Sequence, residues 1–145
     1  MKALLGGRTA VSFDDIKSVA LPALRHRILL SYEAEAEETN TDQILDRILS
    51  NLLSNAIRHT PRGRVLVACR RRGSRLRVEV RDSGPGIPQQ LHQEIFQEFY
   101  QIRNPERDRS NGVGLGLAIV ERVGRMLGHP VLLRSAPGCG STFTI

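Results

Sequence analysis

Two glycine-rich stretches carry the clearest signal in this sequence. The first is Asp82-Ser83-Gly84-Pro85-Gly86-Ile87-Pro88, and the second is Gly112-Val113-Gly114-Leu115-Gly116-Leu117. Because glycine has no Cβ, an acid followed by two glycines at a strand end predicts a tight turn that a ligand can approach closely. Three alternate glycines before an apolar helix predict exposed peptide N–H groups at its N-terminus, where an anion is stabilised. Together the stretches predict a nucleotide site with an acceptor for a base and a cradle for phosphate.

Length and composition exclude several other classes of protein. A chain of 145 residues predicts a core-forming domain, and no apolar run approaches the ~18–20 residues that span a bilayer. The first residues do not read as a secretion signal. Cys69 and Cys139 form neither a disulfide framework nor a metal-ligand pattern, and Cys69 is expected to be a small core residue. The cysteine usage predicts a reducing, cytoplasmic location.

The net charge is +6, and the excess is arginine. One cluster surrounds a predicted turn and consists of Arg70, Arg71, Arg72, Arg75, Arg77 and Arg81. Two interpretations are open, namely a nucleic-acid patch and the solvated face of a hairpin. Aromatic residues that could stack on bases do not alternate with these arginines, so the hairpin is favoured and nucleic acid is not expected as a partner.

The strongest helical pattern begins at Thr41-Asp42. Its apolar residues recur at spacings of three and four and predict one buried stripe, formed by Leu45, Ile48, Leu49, Leu52, Ala56 and Ile57. Asn51 and Asn55 are i,i+4 neighbours on another face. Asparagine is a poor helix former, so this pair indicates a polar task rather than a packing role.

The remaining pattern predicts an α+β fold. Alternating residues predict strands at 64–69 and 75–81, the second with one wet face, and further strands at 131–133 and 141–145. A helix is predicted over 115–127, and a short helix or turn over 89–99 with Leu91, Ile95 and Phe96 facing inward. The expected architecture is a two-layer α/β sandwich whose mixed or antiparallel sheet is covered on one face by helices.

Five motifs in this order resemble the N, G1, F, G2 and G3 boxes of histidine-kinase ATP-binding domains, which belong to the GHKL ATPases. They are Asn51-Leu52-Leu53-Ser54-Asn55-Ala56, Asp82-Ser83-Gly84-Pro85-Gly86-Ile87, Phe96-Gln97-Glu98-Phe99, Gly112-Val113-Gly114-Leu115-Gly116-Leu117 and Gly138-Cys139-Gly140-Ser141-Thr142-Phe143. The resemblance covers residues 41–145 and implies a Bergerat-type fold. Residues 98–107 look most similar to the hybrid sensor kinases. The resemblance therefore implies a cytoplasmic domain, either free or as the cytoplasmic part of a membrane-tethered sensor.

The resemblance implies ATP and Mg²⁺ as ligands. Asp82 would accept a hydrogen bond from the adenine amine and disfavour guanine, Asn55 would bind Mg²⁺, and Asn51 with Arg103 would be catalytic. The implied nucleotide-binding residues are Asn51, Asn55, Arg58, His59, Asp82, Gly84, Gly86, Ile87, Phe99, Gly112, Gly114, Leu115, Gly116 and Thr142. Residues 101–111 would form a lid that places Arg103 or Arg107 on the γ-phosphate.

Position 51 separates two reaction types. GHKL members that hydrolyse ATP carry a glutamate there, whereas Asn51 cannot act as a general base near neutral pH, so slow hydrolysis is expected. The resemblance instead implies phosphoryl transfer to a histidine on a separate dimerisation domain, with a response regulator as a further partner in trans. The alternative is a non-catalytic nucleotide-binding or protein-interaction module with a fused amino-terminal tail.

The first part of the chain resembles a different family. Residues 7–17 and 21–45 look like the C-terminal lid region of MoxR-type AAA ATPases, so residues 1–40 and 41–145 are expected to form separate units of a fusion, a recombinant or a designed hybrid. Residues 28–32 read equally as helix or as the first strand of the ATP-binding domain. His26 reads as a surface helix residue in preference to a phospho-acceptor.

Overall fold

The computed structural model describes residues 14, 15, 18, 22, 41–72, 75–102 and 113–145. Several predictions fall outside these residues: the strand or helix at 28–32, His26, and most of the lid, with Arg103, Arg107 and Gly112. In the described part of the chain, no helix is both long enough and apolar enough to cross a membrane.

Helix α1 spans Thr41–Arg58 and has Asp42 in its first turn and Arg58 in its last, as the helix dipole favours. Its buried stripe comprises Ile44, Leu45, Ile48, Leu49, Leu52, Leu53 and Ala56. The predicted membership of Ile57 is wrong, since this side chain is 54% exposed. At 100° per residue, Ile57 points roughly 120° away from the centre of the stripe, and Leu53 takes the edge position instead.

Four strands form one sheet: β1 (Val65–Arg72), β2 (Arg75–Asp82), β3 (Leu132–Ser135) and β4 (Ser141–Thr144). Their order is β1-β2-β4-β3, and all three pairings are antiparallel, which resolves the choice between a mixed and an antiparallel sheet for these strands. Strand β2 has the predicted wet face, because Val78 and Val80 are buried while Arg81 is exposed.

The arginine cluster lies on the β1–β2 hairpin, as the solvated-face interpretation requires. Glu79 Oε2 of β2 lies 3.8 Å from Arg70 Nε, and Glu79 Oε1 lies 4.0 Å from Arg77 Nη1. The expectation that Cys69 is a core residue is wrong, because Cys69 is exposed. It pairs with buried Val78, but it lies on an edge strand, and among the strands it is β2 that α1 contacts most.

The core lies between the sheet and two helices, α1 and α2 (Gly116–Met126). Phe143 of β4 is 2% exposed and Val120 of α2 is fully buried. Two single-turn 3-10 helices, Gln89–Leu91 and Glu94–Phe96, form the predicted segment before the lid. From the second, Phe96 packs edge-on against Phe143 with ring centroids 6.4 Å apart. The two-layer α+β architecture is therefore confirmed.

Candidate functional site

A buried carboxylate stands at the end of β2. Asp82 is 5% exposed, and its Oδ1 accepts hydrogen bonds from the Gly84 N–H at 2.9 Å and the Ser141 N–H at 3.2 Å. A buried charge is tolerated only where such donors replace water. Both of these donors bind Oδ1, so within the described residues Oδ2 is left for a ligand. The first glycine-rich stretch therefore builds the acceptor that the sequence predicted.

The turn after Asp82 is locked against the β3–β4 turn. Gly86 has φ +71°, and a Cβ added there would overlap the carbonyl oxygen of Ala136. The Gly138 N–H donates to the Pro85 carbonyl at 2.7 Å. A Cβ on Gly140 would likewise overlap the carbonyl of Asp82. Gly86 of the second motif and Gly140 of the fifth are thus required by the close approach of two backbones.

Ile87, also predicted to contact nucleotide, is half-buried and continues this turn. Its N–H donates to Ser135 Oγ at 2.8 Å, and its carbonyl lies 3.1 Å from His92 Nε2. The backbone of Ile87 is therefore held from both sides, by the end of β3 and by the segment after the first 3-10 helix.

The two asparagines of α1 lie on the flank of the buried stripe, and both are half-buried. A Cβ added to Gly116 would lie 3.2 Å from Asn51 Oδ1, so this amide faces the first turn of α2. One turn later, the carbonyl of Asn55 accepts the His59 N–H at 3.0 Å. The helix therefore leads from the glycine-rich start of α2 to the neighbourhood of Asp82.

Arg58 and His59 end α1 beside that carboxylate, and both are exposed. The His59 carbonyl lies 2.5 Å from the Cβ that Gly84 lacks. Partial removal of the His59 ring from water and the adjacent Arg58 guanidinium lower the pKa of His59, while Asp82 acts in the opposite direction. A neutral ring beside Asp82 is therefore favoured near pH 7.

The third and fourth motifs meet through their backbones. The Phe99 N–H donates to the Gly114 carbonyl at 3.0 Å, and a Cβ on Gly114 would lie 3.0 Å from Phe99 Cα. Phe99 has a φ of +65° and a side chain that is 65% exposed. Leu115, at the N-cap of α2, provides no side-chain cap, so the first peptide N–H groups of this helix remain suited to an anion.

Thr142 is not brought to this group. It pairs with Arg81 and Arg134, which are both exposed, so the register places Thr142 on the open face of the sheet. Ser141, one residue earlier, pairs with Asp82 and is 6% exposed. Sequence reasoning missed Ser141, although the alternation from inward-facing Phe143 would have identified it.

Thr60 is a second residue that sequence reasoning missed. Its Oγ1 is buried, has no hydrogen-bond partner among the described residues, and lies 3.1 Å from the Cβ that Gly84 lacks. An unpaired buried hydroxyl is costly, so its place against the glycine turn is notable. Only its position after the polar end of α1 could have drawn attention to it.

The residues present fit a nucleotide with a magnesium ion. Asp82 offers an acceptor for a base, and the peptide N–H groups at the uncapped start of α2 suit a phosphate. The amides of Asn51 and Asn55 carry the neutral oxygens that Mg²⁺ accepts. Across the described residues, no group of three or more His, Cys, Asp or Glu side chains could hold a metal ion by itself.

Two families match different parts of the chain. Residues 40–145 match the family described as histidine kinase-, DNA gyrase B- and HSP90-like ATPase, and residues 1–48 match the AAA lid domain. The two matches overlap within the first turns of α1.

Individual relatives are sensor kinases. The aerobic respiration control sensor protein ArcB of Escherichia coli (strain K12) is 41% identical over 93 residues, which cover 63% of this chain and 12% of ArcB. The sensor-like histidine kinase SenX3 of Mycolicibacterium smegmatis is 37% identical over 92 residues, 63% of this chain and 24% of SenX3. The chain thus spans only a small part of these curated relatives.

Solved structures share the fold. Full-length ShkA in complex with AMPPNP has a TM-score of 0.64 and 25% identity, over 92% of this chain and 29% of ShkA. The catalytic domain of histidine kinase ThkA has a TM-score of 0.60 and 27% identity, over 72% of this chain and 65% of that domain. The chain belongs to the histidine kinase-, DNA gyrase B- and HSP90-like ATPase family, and its likeness is to the ATP-binding catalytic domain of sensor histidine kinases.

Proposed function

We propose that this chain binds ATP with Mg²⁺ and positions the γ-phosphate for transfer to a histidine on a separate domain. The observation that carries the proposal is the arrangement around Asp82. A buried carboxylate with one oxygen left for a ligand lies beside the C-terminal end of α1, whose Asn51 faces the uncapped start of α2. An acceptor for a base and a cradle for phosphates are therefore joined by one helix.

At the base end, Asp82 would distinguish adenine from guanine. Its Oδ1 is committed to two peptide N–H groups, which orient Oδ2 as an acceptor. The adenine amine brings an N–H to that oxygen, whereas guanine brings a carbonyl oxygen that would repel it.

At the phosphate end, the peptide N–H groups at the start of α2 and the Asn51 amide would bind phosphate oxygens. Asn55 would contribute its amide oxygen to Mg²⁺, which offsets negative charge on the phosphates when bound. Since an amide is not a base near neutral pH, Asn51 does not activate water, and hydrolysis by the domain alone is expected to be slow. Arg103 of the lid is proposed as a γ-phosphate contact.

The acceptor is proposed to act in trans, with a response regulator receiving the phosphoryl group afterwards. The likeness to sensor histidine kinases supports this part of the proposal. A division of the chain into the units 1–40 and 41–145 remains a proposal. It is supported by the two family matches, which meet near the start of α1. Use of ATP supports the predicted cytoplasmic location.

Nucleotide titration by calorimetry tests the proposal. The wild-type chain is expected to bind ATP only with Mg²⁺ present and to prefer ATP over GTP. Asp82→Asn keeps the acceptor for the two peptide N–H groups but places an N–H₂ opposite the adenine amine. We expect an affinity loss of roughly ten- to a hundredfold from this unsatisfied pair. Glu79→Gln, the same change on the wet face of β2, is the matched control and is expected to leave affinity unchanged.

Transfer is tested separately with γ-labelled ATP and a histidine-bearing dimerisation domain of a sensor histidine kinase. Label on that histidine supports the kinase role. Binding of ATP without any transfer to this or other acceptor domains would favour the alternative of a non-catalytic nucleotide-binding module. No Mg-dependent binding of ATP by the wild-type chain would reject both.

A further inference from the structure

The hydroxyl of Ser135 lies where three parts of the site meet. Ser135 ends β3, and its Oγ is 2.8 Å from the Ile87 nitrogen, 2.8 Å from the Gly140 carbonyl oxygen and 3.1 Å from Ser141 Oγ. Ile87 belongs to the turn after Asp82, while Gly140 and Ser141 lead into β4. None of the five motifs includes Ser135.

Counting protons fixes the direction of these bonds. The Ile87 N–H can only donate, and the Gly140 carbonyl can only accept. Ser135 has a single proton, so its hydroxyl donates to Gly140 and accepts from Ile87. The contact between the two serine oxygens must then use the proton of Ser141, which the second lone pair of Ser135 Oγ accepts. This assignment satisfies all three contacts, whereas the reverse direction would leave the Gly140 contact without a proton.

The direction of this bond decides whether Ser141 can donate a hydrogen bond at the proposed base site. Asp82, Ser141 and Ser135 are cross-strand partners in one row, so Ser141 stands next to the carboxylate. With its proton directed to Ser135, the Ser141 oxygen offers only lone pairs, as does Asp82 Oδ2. Both groups then accept from a ligand or a bridging water, and neither donates.

We propose that Ser135 is a positioning residue that sets base specificity by holding the proton of Ser141 away from the ligand. The inference rests on the proposed ATP site. An acceptor-only floor favours the amine of adenine and disfavours the 6-oxo group of hypoxanthine or guanine. Loss of the Ser135 hydroxyl frees the proton of Ser141, which can then donate to a 6-oxo group.

The test compares ATP with ITP, which replaces the 6-amine by a 6-oxo group. For the full chain with Mg²⁺, calorimetry gives the ratio of the ITP and ATP dissociation constants. In Ser135→Ala we expect this ratio to fall by about five- to tenfold, the effect of roughly one hydrogen bond. Ser135→Thr keeps the hydroxyl, so the ratio of the two dissociation constants is expected to equal that of the wild type. Thr144→Ala, on the open face of β4, is the control and leaves the ratio unchanged.

A purely structural role for Ser135 gives a different result. Weaker binding of both nucleotides by the same factor, or no change in either, overturns the inference. If Ser135→Ala does not fold by circular dichroism, Ser135→Cys carries the test, because a thiol is a weak acceptor and donor and shifts the ratio in the same direction. A wild-type chain that binds no ATP rejects the proposed function itself, whereas a selective wild type with an unchanged Ser135→Ala ratio rejects only this inference.

Discussion

The most informative perturbation is Gly86→Ala, because a second glycine in the same region provides a matched control. Gly86 has φ +71° and Gly138 has φ +75°. A Cβ on Gly86 would overlap the Ala136 carbonyl oxygen and lie 3.2 Å from the Gly140 oxygen, whereas a Cβ on Gly138 meets nothing within 4 Å. Alanine is therefore equally unfavourable at both positions for the backbone, but only at position 86 does it meet other atoms.

The magnitudes follow from these two contributions. Left-handed backbone costs an L-residue about 1–2 kcal/mol, which both variants share. Gly86→Ala must in addition separate the turn from Ala136 and break the 2.7 Å bond from the Gly138 N–H to the Pro85 carbonyl, a loss of about 0.5–1.5 kcal/mol before any effect on packing. We expect Gly86→Ala to be at least ~1 kcal/mol less stable than Gly138→Ala.

Nucleotide affinity should separate the variants further. The displaced turn carries Gly84, whose N–H orients Asp82, so Gly86→Ala is expected to lose more than about tenfold in ATP affinity. Gly138→Ala is expected to stay within about threefold of the wild type. Urea denaturation and calorimetric titration measure both quantities. Equal stability and equal affinity in the two variants would refute the reasoning that backbone contact at Gly86 shapes the site.

Three further predictions use other parts of the fold. Leu52→Ala, at a position 1% exposed, should lower the free energy of unfolding by about 2–5 kcal/mol in urea denaturation. Ile57→Ala, at a position 54% exposed, should change it by less than about 1 kcal/mol. Equal losses would contradict the assignment of the buried face of α1. Gly116→Ala should leave the melting temperature unchanged or raised, because alanine favours helix, yet weaken nucleotide binding by crowding Asn51 Oδ1; unchanged affinity would contradict it. Because the pKa of His59 is lowered in the folded state, the unfolded chain binds more protons at this ring. The contribution of His59 to the free energy of unfolding is therefore complete above pH 6.5 and lost as pH falls through the folded pKa. Urea midpoints that fall with pH identically in His59→Gln and wild type would exclude this contribution.

The sequence was sufficient for the architecture because its local patterns agree with the tertiary contacts. The spacing of Leu45 to Ala56 predicted the buried face of α1, and the alternation in β2 predicted its wet face. Exposure at the margins was less predictable. Ile57 continues the apolar spacing but lies outside the buried stripe of α1. Cys69 lies on an edge strand, where it is exposed although it pairs with buried Val78. Such effects depend on which neighbours reach a position, and local sequence does not contain that information.

The site likewise contains residues that the sequence could predict and residues that it could not. The glycines were identifiable because a close backbone approach requires a residue without a Cβ, and Asp82 was identifiable as the acid at a strand end directly before them. Ser135 and Thr60 were not, because serine and threonine are common at strand and helix ends and acquire a role only through distant partners. The fifth motif contains both Ser141 and Thr142. Alternation from Phe143 indicates that Ser141 faces inward, and the strand register pairs it with Asp82.

A crystal structure of this chain with AMPPNP and Mg²⁺ tests the central claim most directly. The account predicts that the adenine amine lies within about 3.0 Å of Asp82 Oδ2, that Mg²⁺ lies about 2.1 Å from the Asn55 amide oxygen, and that the phosphates lie at the start of α2 beside Asn51. A nucleotide bound elsewhere, or one in this cleft with its base turned away from Asp82, would contradict it.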